Sequence, residues 1–277
     1  MQNKLLASGS LALRQAMAYL RPSCMALLTP QAVLLEISKS QRPLVRPCPA
    51  TTVGAEPSMQ QAAQLLLEML DAASVQGKKI HIHISEAWVK PLGLPFPAKS
   101  SRPEDVQLVL QSQYRKVYGD LAENWHISWE HHNGRLWAAA LPNRPLVALQ
   151  QGMAQRANVL ASVVPLSTVV ANTALADHAT SWLLVQEPQN ITLVYVENGA
   201  WRHWCVVPAM VTDPVGTVQI LEREAARMHN PCRNISLLAI GPRQQAQALE
   251  PVLKSAGWIT KSQVYRLSEA LSAGSIA

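Results

Sequence analysis

The sequence predicts an α/β protein built from two copies of one unit, with a smaller α+β block inserted between them. Three observations carry this. Two separated segments, SCMALLTPQAVLLEISKSQRPLVRP (residues 23–47) and TSWLLVQEPQNITLVYVENGAWRHWCVVP (residues 180–208), follow the same order: apolar strand, Pro-Gln turn, apolar strand, polar turn, strand ending at Pro. Each is followed by a helical pattern and a further strand. The composition, 48% hydrophobic and 15% charged over 277 residues, belongs to a folded chain able to bury one large or two ordinary cores. The resulting division is an N-terminal helix or extension (1–22), a first half (23–87), an inserted block (88–170), and a second half with a C-terminal tail (171–277).

In chain order, residues 1–22 carry Leu6, Leu13, Met17 and Leu20 on one side of an amphipathic helix. Ser8, Gly9, Ser10 and Arg14 interrupt its apolar run, so it is too short for a signal-peptide core or a membrane span; it is expected to dock on the body in preference to a membrane surface. The first meander turns at Pro30-Gln31. A helix follows, with Ser58 as N-cap, Leu66, Met69 and Leu70 on its apolar face, and Gly77 as stop. In KIHIHIS, Ile80, Ile82 and Ile84 alternate with His81, His83 and Ser85, which predicts a half-buried strand with outward histidines. Two imidazoles do not complete a zinc set, and the tandem His131 and His132 add nothing at ligand spacing. No metal site is expected.

The middle block reads as a helix (RPEDVQLVLQSQYRKVYG), a hairpin turning at Asn133-Gly134, a helix (RPLVALQQGMAQRAN) and a strand (VLASVVP). Its two-stranded ribbon sets Trp125, Ile127 and Trp129 on one face, with Trp137 expected to answer across the turn as sheet packing. In the second meander Asn198-Gly199 is a type I′ hairpin signal, since both central positions need positive φ. A helix (GTVQILEREAARMHNP), a strand (NISLLAIG) and a closing helix containing Pro251 complete the second half.

Lys and Arg number 24 against 18 Asp and Glu, a mild net charge of +6 without the basic block of a nucleic-acid arm. Cys24, Cys48, Cys205 and Cys232 are widely spread, with no C-x-x-C pair, and read as reduced thiols in a reducing compartment.

A meander followed by helix and strand is the layout of the ribonuclease-H-like unit, and two such units with an insertion resemble the actin-like ATPases. More narrowly, ISEAWVKPLGLPFP leading into SRPEDVQLVLQSQYRKVYG, and the opening of the second meander, resemble the actin-like assembly proteins of type IV pili (PilM-like) and the cytoplasmic domain of the matching type II secretion component (GspL-like). The resemblance spans about residues 23–260. It implies an actin-like fold of duplicated βββαβα units, and a scaffold that holds the cytosolic tail of a single-span inner-membrane assembly protein and sits near a secretion or pilus motor ATPase. The expected location is cytoplasmic, at the inner membrane through that partner, unless the chain is the soluble part of a longer protein.

In that superfamily the first turn of each half cradles the nucleotide phosphates with glycine amides, and an Asp holds hydrated magnesium. Here the turns read LLTPQAV and VQEPQNI, each with a Pro and neither with Gly or Asp. Glu187 alone could approach magnesium, and the later turn, AIGPRQQ, follows Gly241 with Pro242. The expectation is a fold with a degenerate nucleotide site, no cofactor and no catalysis. The alternatives are a nucleotide-dependent actin-like ATPase, marked by magnesium-dependent ATP binding, and a ribonuclease-H-like nucleic-acid binder, marked by steeply salt-dependent binding. A two-metal nuclease would need clustered carboxylates, and Glu36, Glu187 and Glu197 do not share one strand face. No nucleic-acid partner and no membrane span are expected. The partner tail is expected near WVKPLGLPFP, in a groove between the inserted block and the first-half sheet, on Trp88, Leu92, Leu94 and Phe96.

Overall fold

A computed structural model describes residues 22–38, 42–49, 58–97, 102–176, 180–208, 213–229, 232–239 and 243–262. The expected N-terminal helix and the AIGPRQQ turn at Gly241 lie outside these residues. The chain forms two compact units, Met1–His83 with Pro145–Val163, and Ile84–Arg144 with Val164–Ala277.

The first unit is organised by a five-stranded sheet. Strands β1 (Ser23–Leu28), β2 (Ala32–Glu36) and β3 (Leu44–Pro47) form the antiparallel meander, α1 (Met59–Ala72) crosses over, and β4 (Lys79–Ile84) returns beside β1. Ser58 caps α1 in a full capping box with Gln61, so two otherwise orphaned N–H groups are satisfied at the helix start. The helix ends before Gly77: Ser74 takes the positive φ of 52° that closes it, and Gly77, also at positive φ, serves the next turn. The fifth strand, β8 (Val159–Pro165), arrives after α3 (Asn143–Gln155) and flanks β4. It comes from the stretch 88–170 that the sequence pattern assigns to the insertion. Asn158 ties it in, accepting from the Lys78 N–H at 2.9 Å and donating to Val75 O at 3.0 Å.

This placement corrects the reading of KIHIHIS. β4 is central in its sheet, between β1 and β8, and both of its faces carry buried side chains: Ile80, Ile82 and Ile84 on one, His83 and Ser85 on the other. Central strands of α/β sheets have no solvent face. His81 is half-buried and its Nδ1 meets Ser162 Oγ at 2.9 Å, while burial, then the neighbouring His81, lowers the His83 pKa to about 4 and keeps that ring neutral.

The second unit repeats the plan. Strands β9 (Ser181–Glu187), β10 (Asn190–Glu197) and β11 (Ala200–Pro208) form the meander, followed by α5 (Pro214–Arg227), β12 (Asn234–Ala239), α6 (Arg243–Ser255) and β13 (Ile259–Ser262). The two strand orders, β3-β2-β1-β4-β8 and β11-β10-β9-β12-β13, are the same, so the duplication read from the sequence is real and each copy has one strand more than its pattern showed. Asn198 and Gly199 adopt φ of 51° and 75°, as the type I′ turn requires. One helix, α4 (Leu166–Ala176), has no counterpart in the sequence reading.

The same unit carries a small sheet, with β6 (Trp125–His132) and β7 (Arg135–Pro142) joined at Asn133-Gly134 and α2 (Pro103–Tyr118) packed on it. It has three strands rather than two, because β5 (Lys90–Pro95) pairs along β7 in the order β5-β7-β6. Pro91 and Pro95 disguise β5 as a loop, yet an edge strand tolerates proline. Trp129 faces Ala138 across the ladder and Trp137 faces Glu130. Trp125, Ile127 and Trp129 therefore line the core under α2, while Trp137 lies on the other face against Trp201, with ring centroids 6.0 Å apart. The Trp137 ring also explains Gly93, where a Cβ would come within 2.6 Å of it.

Candidate functional site

The turns that would hold phosphates are closed by their own residues. In the first, the Thr29 N–H donates to Ala32 O at 3.0 Å, and the Thr29 hydroxyl accepts from the Ala32 N–H at 3.0 Å and donates to Ala32 O at 2.8 Å. Pro30 has no N–H. The Thr29 side chain is thus spent on the turn, and both Thr29 and Pro30 are buried. In the second, Pro188-Gln189 links β9 to β10 as a two-residue hairpin, again with one amide removed. These residues do not fit a glycine-type phosphate cradle.

Beneath the second turn lies a buried carboxyl pair. Glu187 ends β9, and Glu86 sits in the single 3-10 turn Glu86–Trp88 that follows β4. Ser85 starts this turn by accepting from the Ala87 N–H at 3.1 Å. The Glu86 N–H donates to Glu187 Oε2 at 3.0 Å, and the Ser167 N–H, at the start of α4, donates to Glu86 Oε1 at 2.6 Å. Asn190, with its amide oriented by this network, donates to Glu187 Oε2 at 2.8 Å and accepts from the Ala87 N–H at 3.3 Å. Glu86 Oε2 and Glu187 Oε1 are buried and have no hydrogen-bond partner among the described residues.

Electrostatics follow from this burial. Desolvation, then the Glu187 charge, pushes the Glu86 pKa up against the pull of the Ser167 and Leu166 N–H groups. Desolvation likewise raises Glu187, opposed by its hydrogen bonds from Ser85, Glu86 and Asn190. The pair behaves as one titrating unit that retains a proton where ordinary glutamates have lost theirs. With Glu86 and Glu187 at 0% and 2% exposure, a substrate has no direct access to it. What it does chemically is pin the end of β9, the 3-10 turn and the start of α4 through one proton-holding node.

Of the carboxylates singled out from sequence, only Glu187 joins this node. Glu36 is on β2 in the other unit, and Glu197 ends β10, where it pairs with Arg202 at 2.9 Å. Glu86 was missed. Its signal was position, a carboxylate immediately after a strand buried on both faces, in ISEAW. The residues expected to hold a partner are each half-buried. Trp88 belongs to the same 3-10 turn and is half-buried, while Leu92, Leu94 and Phe96 pack against the core of the small sheet. The Phe96 ring lies 4.2 Å from that of His131, and its N–H donates to Gly134 O at 2.9 Å. The apolar run looked exposed in sequence because β5 was not legible as a strand.

Two repeats of the unit β3-β2-β1-β4-β8, one of them with the inserted small sheet, define the actin-like ATPase fold. Known structures agree: the chain is similar to a Bacteroides thetaiotaomicron protein of actin-like ATPase fold and unknown function (TM-score 0.63, 11% identity, covering 91% of this chain and 95% of that one). It is equally similar to a chain of the PilM-PilN type IV pilus biogenesis complex (TM-score 0.63, 14% identity, 90% of each chain). The cytoplasmic domain of EpsL, an inner-membrane component of the Vibrio cholerae type II secretion system, also shares the fold (TM-score 0.52, 10% identity, 90% and 92%). No family model and no curated protein matches the sequence. Among the described residues no helix is long and apolar enough to cross a membrane.

Proposed function

We propose that the protein is a non-catalytic scaffold of a type IV pilus or type II secretion assembly platform, held at the inner membrane by the cytosolic tail of a membrane partner. The observation that carries this reading is the chemistry of the two turns on an actin-like fold. Thr29 spends its N–H and hydroxyl within its own turn, and prolines stand where phosphate-binding amides are needed. Supporting it, the neighbours that cover nine-tenths of both chains include one from a PilM-PilN complex and one that is the cytoplasmic domain of an inner-membrane component. In this reading the protein is cytoplasmic, binds no nucleic acid, and contacts its partner through the Trp88–Phe96 segment, with a motor ATPase as a further neighbour.

One observation favours the nucleotide-dependent alternative. Two carboxyls with raised pKa values end one strand and follow another, and one of them, Glu187, is the residue that could approach magnesium. They are sealed beneath Asn190 and Ala87, which is why the scaffold reading is preferred.

The test is co-expression with the candidate membrane partner, full-length or lacking its cytosolic tail, followed by membrane flotation. The scaffold reading predicts co-flotation only with the tail present. Phe96→Ala is expected to reduce co-flotation while the variant stays folded. Unchanged co-flotation of folded Phe96→Ala removes β5 from the interface, and tail-independent flotation contradicts the reading.

A further inference from the structure

We propose that His203, Cys205 and Glu224 form a transition-metal site of the zinc class, with one coordination position left open. His203 and Cys205 stand two apart on β11, opposite Tyr195 and Leu193, so both side chains emerge on the face covered by α5. Glu224 reaches them from the last turn of α5. One ligand atom from each lies within 4.8 Å of the other two, and His203 Nε2 is 3.5 Å from Glu224 Oε2. Imidazole nitrogen, thiolate and carboxylate oxygen are each ligands that zinc takes, and three protein ligands with an open fourth position is the count of its catalytic sites.

Two further observations distinguish the cluster from a plain ion pair. His203 Nε2 is buried without a hydrogen bond, the 3.5 Å approach to Glu224 being too long for one, so a ring nitrogen points at the centre of the triad with nothing to bind it. The far side of Glu224 is already held: Arg223 Nε and Arg227 Nη1 each donate to Oε1 at 3.0 Å, with a longer contact from Arg227 to Oε2 at 3.3 Å. Metal-bound carboxylates are normally fixed in this way by outer hydrogen bonds.

Burial, opposed by the Glu224 charge and helped by Arg227 and Arg135, lowers the His203 pKa, which favours the neutral ring that can ligate. Burial pushes the Cys205 thiol up to about 12, so without metal it is an inert SH group. Binding must therefore release the thiol proton, and affinity should rise with pH. The sequence pattern hid the set, because H-x-C on one strand gains its third ligand, nineteen residues further on, only through the packing of a helix.

The experiment is titration of the full chain with cobalt(II) as spectroscopic probe, then zinc. The proposal predicts a near-ultraviolet thiolate-to-cobalt charge-transfer band and the visible bands of low-coordinate cobalt, saturating at a single equivalent and displaced by zinc. The band should vanish in Cys205→Ser, the visible bands should change in His203→Ala, and both should survive in Cys232→Ser. A folded wild-type chain that gives no charge-transfer band overturns the site, whatever the variants do. Bands that persist unchanged in Cys205→Ser and His203→Ala overturn it as well, because the metal then sits elsewhere.

Discussion

Glu86 and Glu187 show how one residue's place in the chain sets its chemistry. A glutamate at the end of a strand is ordinarily a solvated charge. Here each is enclosed by the other, by Ser85 and Ser167, and by Asn190, so its charged form is disfavoured. The stability consequence has a definite sign. Folded-state pKa values above those of an unfolded glutamate, about 4.5, give stability that is fully present below that pH and is lost as pH rises through the folded values, about 8 for Glu86. Glu86→Gln mimics the protonated acid and keeps an oxygen for the Ser167 N–H. It is expected to leave the melting temperature nearly unchanged at acid pH and to raise it relative to wild type above about pH 8, flattening the pH profile between. Thermal scans across that window check this, and a variant curve parallel to wild type would mean that the pair does not titrate there.

At the scale of elements, helix pairing in the first unit turns on the contact between α1 and α3. Gly152 on α3 lies so close to α1 that an added Cβ would stand 2.5 Å from Leu67 Cδ1. Overpacking against Leu67 costs about 1–3 kcal/mol and the gain in helix propensity returns about 1 kcal/mol, so Gly152→Ala is expected to destabilise by up to about 2 kcal/mol. Leu67→Ala in the same chain should recover part of that loss, a coupling that denaturant titration of the single and double variants measures. In the second unit, Phe96→Ala should cost less than the roughly 3–5 kcal/mol of a fully buried aromatic, since its ring is half-buried against His131. Elements were legible where local chemistry announced them: the Ser58 cap, the Asn-Gly turns at 133–134 and 198–199, and the alternation of β4. They were illegible where partners decide. Prolines in β5 read as loop until β7 supplied its ladder. His83 reads as outward from alternation alone, yet it is buried in a central strand, and β8, which makes that strand central, joins a sheet whose other strands lie more than seventy residues earlier.

Across the whole molecule, the repeated strand order β3-β2-β1-β4-β8 was largely written in the sequence, because each copy carries the same meander, helix and strand. The carboxyl node was only half written. Glu187 flanks the Pro188-Gln189 turn that the sequence marks, whereas Glu86 gains meaning from Ser167 and Asn190, which are remote in sequence. The His203–Cys205–Glu224 cluster was not written at all, since it depends on how α5 lies across β11. The central claim is that this actin-like fold serves as a scaffold without a nucleotide switch. Thermal unfolding with and without millimolar magnesium ATP tests it most directly, because a ligand that binds only the folded chain raises its apparent stability by RT ln(1 + [L]/Kd). The account predicts superimposable curves. A magnesium-dependent rise in melting temperature would contradict it and restore the nucleotide-dependent reading.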